Sequence, residues 1–155
     1  MSKLKVGDPA PRFEGVDQQD QKISLDDFSG KKLILYFYPK DNTPGCTAEA
    51  CSLRDGRDEL RAMGFEVVGV SPDSTKAHRG FIEKHALNFP LIADTDKVIA
   101  QAYGVWGEKK FMGRTYMGIL RTTFVIDEQG VIEKIFDKVQ TKDHFNQIVV
   151  AYQKD

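Results

Sequence analysis

Three short stretches of the chain are apolar almost without a break. Leu33-Ile34-Leu35-Tyr36-Phe37-Tyr38 lies between Gly30 and Pro39. A run this short, and bounded by turn residues, predicts a strand over 32–38 that is covered on both faces. Residues 65–71 and 122–127 have the same character. Asp127-Glu-Gln-Gly130 reads as a turn that returns the chain along 131–136 as an antiparallel partner. Near the N-terminus, 13–16 and 22–25 pair as a short hairpin. Helical stretches fill the gaps at about 44–63, 74–85, 97–103 and from 142 to the C-terminus. Strands alternating with helices predict an α/β domain. The segment 104–120 follows neither period. Its glycines, with Trp106, Phe111, Met112 and Tyr116, read as an ordered surface loop with apolar anchors.

Composition narrows the function classes. At 155 residues, one domain spanning 1–155 is expected, with no linker or repeat to divide it. With 41% hydrophobic and 29% charged residues the chain is an ordinary globular one, able to form a core without staples. Lys+Arg at 22 against Asp+Glu at 23 offers no electrostatic attraction for nucleic acid or an anionic membrane. No apolar run approaches the length of a bilayer span, and the first residues contain no apolar signal core. Two cysteines are too few for a disulfide scaffold, so a reducing, cytoplasmic setting is expected, where such a pair is more often catalytic.

The chemistry concentrates in Tyr38-Pro-Lys-Asp-Asn-Thr-Pro-Gly-Cys-Thr-Ala-Glu-Ala-Cys51, where a buried strand gives way to a helix. Ligands of open α/β sheets gather at such carboxyl ends of strands. Thr43 suits the N-cap and Pro44 the first helical position. Cys46 then falls in the first turn, among unpaired backbone N–H groups and the positive end of the macrodipole, which favours a thiolate. A buried cysteine serving only as a small hydrophobe is the alternative. Cys46, Ala50, Leu53 and Leu60 share one stripe of the helix, interrupted by Arg57, while Cys51 lies off it.

Pro39-Lys-Asp-Asn-Thr43-Pro-Gly-Cys46 resembles the peroxiredoxin active-site pattern. The Thr-Pro-Gly-Cys-Thr form with a second cysteine five residues on is similar to the bacterioferritin-comigratory, or peroxiredoxin Q, branch. Val6-Gly-Asp-Pro-Ala-Pro, Gly69-Val-Ser-Pro-Asp73, Phe89-Pro-Leu-Ile-Ala-Asp94, Tyr103-Gly-Val-Trp-Gly-Glu108 and Arg121-Thr-Thr-Phe-Val-Ile-Asp127 extend the resemblance over nearly the whole chain. It implies a thioredoxin-like fold, a central mixed sheet flanked by helices with an N-terminal β-hairpin. It implies thiol-dependent reduction of hydrogen peroxide and organic hydroperoxides. Cys46 would be the peroxidatic nucleophile and Cys51 the resolving cysteine, closing an intramolecular disulfide. Thr43 would hydrogen-bond the peroxide and the sulfur, Pro39 would shield the sulfur from water, and Arg121 would bring a guanidinium beside it. Thioredoxin or a similar dithiol protein would be the reductant, the chain would act as a monomer, and no cofactor or metal is called for.

Ionising the sulfur is only part of the task. A thiol with pKa about 8.5 is about 3% thiolate at pH 7, and lowering that pKa to roughly 6 gains about thirtyfold. Donors that grip the O–O bond must supply the rest. On a helix, residues five apart have Cα atoms about 8 to 9 Å apart, beyond the roughly 7 Å reach of a disulfide, so the helix is expected to unwind before Cys46 and Cys51 join. His78, His85 and His144 have no metal-ligand spacing and read as surface or packing residues. Glu49 reads as a charge near the helix start that favours the dipole, with a family role in placing the active site as the alternative, and Lys109, Lys110 and Arg114 read as a solvated basic group or a reductase contact. A thioredoxin-fold thiol–disulfide oxidoreductase is the nearest alternative, disfavoured by the lack of Cys-x-x-Cys; a non-enzymatic redox sensor is another.

Overall fold

The computed structural model describes residues 4–153, and the first three and last two residues of the expected domain lie outside the described residues. Five strands form the central sheet. In chain order they are β3 (Lys32–Phe37), β4 (Phe65–Ser71), β5 (Leu91–Ala93), β8 (Thr122–Ile126) and β9 (Ile132–Phe136). Their spatial order is β5-β4-β3-β8-β9, with β3, β4 and β5 parallel and β8 antiparallel to both β3 and β9. The sheet is therefore mixed. A separate N-terminal hairpin pairs β1 (Glu14–Val16) with β2 (Lys22–Ser24).

Alternate residues of β3 feed two cores because successive side chains of a strand point to opposite faces. Leu33, Leu35 and Phe37 pack with Val68, Val70 and Phe124, under the hairpin and α4 (Val98–Ala102). Ile34, Tyr36 and Tyr38 pack with Val67 and Val125 beneath α1 (Pro44–Asp55), α2 (Arg57–Ala62), α3 (Thr75–His85) and α5 (His144–Gln153). Covering on both faces explains why these strands read as unbroken apolar runs.

Three expectations change. The helix expected over 44–63 is two helices, broken at Gly56. A Cβ at Gly56 would lie 2.0 Å from the Phe145 ring, so α5 packs onto bare backbone where the helix breaks. The expected loop over 104–120 is an antiparallel hairpin, β6 (Trp106–Phe111) with β7 (Arg114–Ile119). Met112 and Gly113 form its two-residue tip with φ of 51° and 79°, the left-handed pair that a tight hairpin turn requires. Residues 111–117 are all exposed, so no buried face imposes a period of two on the sequence. The three-residue strand β5 was not anticipated either. The C-terminal helix begins at His144, after a short 3₁₀ turn at Thr141–Asp143, and is described to Gln153.

Candidate active site

The strand β3 delivers the chain into a loop that its own neighbours pin down. The Tyr38 hydroxyl donates to Asp41 Oδ1 at 2.6 Å, and Asp41 Oδ2 lies 2.7 Å from His78 Nδ1 on α3. His78 Nε2 is 2.9 Å from the Ile92 carbonyl. The Asp41 amide donates to Asp73 Oδ2 at 2.9 Å, and the Ser71 hydroxyl donates to the same oxygen at 2.6 Å. His78 is fully buried and His144 likewise, so both belong to the packed interior rather than the surface. The Asp41, Asp73 and His78 donor atoms lie within 4.8 Å of one another. Both ring nitrogens and both Asp41 oxygens are already engaged, which makes this a closed hydrogen-bonded network rather than an open set of metal ligands.

Asn42 takes a left-handed φ of 63°, a conformation asparagine tolerates, and Thr43 then starts α1 from an extended backbone. The Thr43 carbonyl accepts the first helical bond from the Thr47 amide at 2.8 Å. Its side chain does not cap the helix. The hydroxyl donates to the Lys40 carbonyl at 2.8 Å instead, which leaves its lone pairs as acceptors. Pro44 occupies the first helical position and Cys46 the third, with no acidic residue in the first turn. Cys46 has no exposed surface, whereas Pro39 and Cys51 are half-buried; both cysteines are free thiols. Cys46 and Cys51 lie on one unbroken α1.

Arg121, between β7 and β8, meets Cys46 across this helix. Its Nη2 donates to Cys46 Sγ at 3.3 Å and its Nη1 to Glu49 Oε1 at 2.6 Å. A Cβ at Gly45 would stand 3.3 Å from Nη2, so the glycine leaves the guanidinium its place. Burial opposes the Arg121 charge, yet its electrostatic interactions and hydrogen bonds with Cys46 and Glu49 hold its pKa above the ordinary value. Burial pushes Glu49 up to about 7 despite the opposing Arg121 charge. Burial also holds His144 down to about 4, with Arg121 adding to the effect and a hydrogen bond to Gln147 opposing it. Lys109 reaches into the site from β6, donating to the Ile119 carbonyl at 2.9 Å; burial and Arg121 lower its pKa, and Cys46 opposes them. A cavity of about 530 Å³ opens beside Arg121, lined by Leu4, Tyr103, Val105, Phe124 and Ile135.

Residues 6–135 match the AhpC/TSA family. The chain belongs to the peroxiredoxins. It is 53% identical over 152 residues to the putative peroxiredoxin bcp of Haemophilus influenzae, covering 98% of this chain and 97% of that protein. Against peroxiredoxin Bcp of Escherichia coli the identity is 47% over 149 residues, covering 96% of each. Among solved structures, a cysteine-to-serine mutant of PrxQ from Xylella fastidiosa superimposes with a TM-score of 0.91 at 29% identity, covering 99% of this chain and 98% of that one. The bacterioferritin comigratory protein of Xanthomonas campestris, described for its alkyl peroxide reduction activity, gives a TM-score of 0.85 at 32% identity over 92% of this chain and 90% of that one. The thioredoxin-like fold of this peroxiredoxin follows from these superpositions.

The sequence placed Thr43, Cys46 and Cys51 on one turn and helix. Only the fold brings Arg121 to Cys46. Glu49, read as favouring the dipole or as helping to place the active site, is fully buried and hydrogen-bonded to Arg121. Lys109 and the Asp41–His78 pair were not singled out for this site. A buried-face position for Glu49, three residues beyond Cys46 on the same helix, was the signal available for it.

Proposed function

We propose that this peroxiredoxin reduces hydroperoxides through Cys46, carried above all by the 3.3 Å contact between Arg121 Nη2 and a fully buried Cys46 Sγ at a helix N-terminus. The Cys46 thiolate attacks the terminal peroxide oxygen, the O–O bond breaks, and a sulfenic acid forms as an alcohol or water leaves. Arg121 and the first-turn amides stabilise the sulfur and the departing oxygen. Thr43, with its proton committed to Lys40, accepts from the peroxide O–H. Pro39 limits access of water to the sulfur. The alkyl peroxide reduction described for the Xanthomonas campestris relative supports organic hydroperoxides as well as hydrogen peroxide as substrates.

Cys51 then condenses with the sulfenic acid, and water leaves as the disulfide forms. Continuity of α1 between the two cysteines requires its first turns to unwind for this step. Resolution within one chain suits a monomer, and two free thiols suit the cytoplasm, with thioredoxin or a similar dithiol protein restoring them. Steady-state turnover of wild type, Cys46→Ser and Cys51→Ser with thioredoxin, thioredoxin reductase and NADPH tests the reading. Turnover is expected to vanish in Cys46→Ser. Cys51→Ser is expected to keep a single peroxide reduction and lose the disulfide. Undiminished turnover in Cys46→Ser refutes the assignment.

A further inference from the structure

One guanidinium faces two acids in this site. Arg121 gives Nη2 to Cys46 and Nη1 to Glu49 Oε1, while Glu49 has no exposed surface. Its second oxygen, Oε2, is buried with no hydrogen-bond partner among the described residues. His144 Nε2 on α5 lies 3.8 Å away, and the Tyr36 hydroxyl, also buried near Glu49, makes no hydrogen bond to it among the described residues. That nitrogen cannot supply a donor. Gln147 Oε1 already accepts from the Gln140 amide and can only accept from His144 Nδ1, so Nδ1 carries the imidazole hydrogen. Nε2 is then an acceptor, taking the Thr123 hydroxyl at 2.8 Å. An ionised carboxylate oxygen without any donor in a dry interior is strongly disfavoured; a protonated one far less so.

The other charged or titratable groups around the pair do not change this balance. From β3, the buried Tyr36 hydroxyl lies near Glu49 and Cys46, and its pKa is raised by burial first and then by those two groups. From β6, Lys109 adds positive charge near Cys46 and Arg121. Within the site, one Arg121 charge is thus shared between two acids that titrate as a coupled pair.

We infer that Glu49 holds the proton of this pair while Cys46 is a thiolate, and releases it when oxidation removes the sulfur's charge. The inference rests on the peroxidase reading above. Written out, the Cys46 thiolate, the Glu49 carboxylic acid and ROOH give Cys46 sulfenic acid, Glu49 carboxylate and ROH. The S–O bond forms as the O–O bond breaks, and the proton that completes ROH is replaced from Glu49. Condensation with the Cys51 thiol then releases water without changing the proton count. Glu49 acts through Arg121 and so is a positioning residue. The site keeps one compensated negative charge in both redox states.

The test follows proton uptake and thiolate absorbance as the reduced full-length protein is oxidised by one equivalent of hydroperoxide in weak buffer at about pH 6. An oxidised-minus-reduced infrared spectrum is taken in parallel. Wild type is expected to lose its thiolate absorbance and a carboxylic-acid carbonyl band while taking up close to no protons per disulfide. Glu49→Gln is expected to lose the thiolate, show no such band, and take up about one proton per disulfide. A residue that merely held Arg121 in place would slow the reaction on substitution without changing the proton count. The inference is overturned if wild type takes up a full proton, if its carboxylic-acid band does not change, if it has no thiolate to lose, or if folded Glu49→Gln matches its proton count. The wild-type measurements decide the matter even if the variant does not fold. Failure of wild type to form a disulfide with hydroperoxide would instead refute the peroxidase reading.

Discussion

Replacing Arg121 by lysine separates charge from geometry. The guanidinium reaches Glu49 Oε1 at 2.6 Å and Cys46 Sγ at 3.3 Å with two different nitrogens. Lysine keeps the positive charge but has a single nitrogen on a flexible stem. One nitrogen cannot hold both partners in the two directions that the fork spans, so the contact with the sulfur is expected to weaken. The sulfur then loses a charge-assisted hydrogen bond worth about 1.5–3 kcal/mol, or about 10- to 150-fold in rate. Loss of the fork to the peroxide oxygens adds to this. The assay is the second-order rate of hydroperoxide reduction by reduced protein, with thermal unfolding as the check on folding. Should Arg121→Lys react within about threefold of wild type, roughly 0.7 kcal/mol, the cation alone suffices and the forked contact has no catalytic weight.

Two further outcomes are expected. Hydrogen exchange in the first turns of α1 should be protected in the reduced protein and fast in the oxidised one, with α2 unchanged; equal protection of α1 in the two states would rule out the unwinding step. Stability should also carry opposed pH dependences. His144, held down to about 4 from 6.5, gives stability that is full above pH 6.5 and lost as pH falls towards 4. Glu49, held up to about 7 from 4.5, gives stability that is full below pH 4.5 and lost as pH rises towards 7. Each is worth about 3 kcal/mol, so they offset each other between pH 4.5 and 6.5. Denaturant melts should show wild type losing about 3 kcal/mol relative to Glu49→Gln between pH 4.5 and 7; parallel curves would contradict it.

The strands buried on both faces were legible because nothing but apolar side chains fits there, and 32–38, 65–71 and 122–127 each lie within a residue of the observed elements. The hairpin β6–β7 was not, since 111–117 are exposed and carry no burial signal, and the left-handed turn at Met112 and Gly113 is not one of the commonest dipeptides. The break after Asp55 depends on Phe145 arriving from α5, a contact ninety residues away in the chain that no local pattern encodes. The site divides the same way. Thr43, Pro44 and Cys46 announce themselves by local helix-start chemistry. Arg121, Glu49 and His144 acquire their meaning only when β8, α1 and α5 meet.

The seam at Gly56 confines how far a rearrangement can spread. Beyond it, α2 is anchored on its own account: Leu60 is fully buried and Arg57 Nη2 holds Glu66 Oε2 on β4 at 2.7 Å. The disulfide proposed between Cys46 and Cys51 would therefore consume only the segment ahead of the Gly56–Phe145 contact. In that cycle the sheet and its remaining helices would serve as a fixed chassis, and the protein would alternate between two shapes of one short stretch without risking the whole fold.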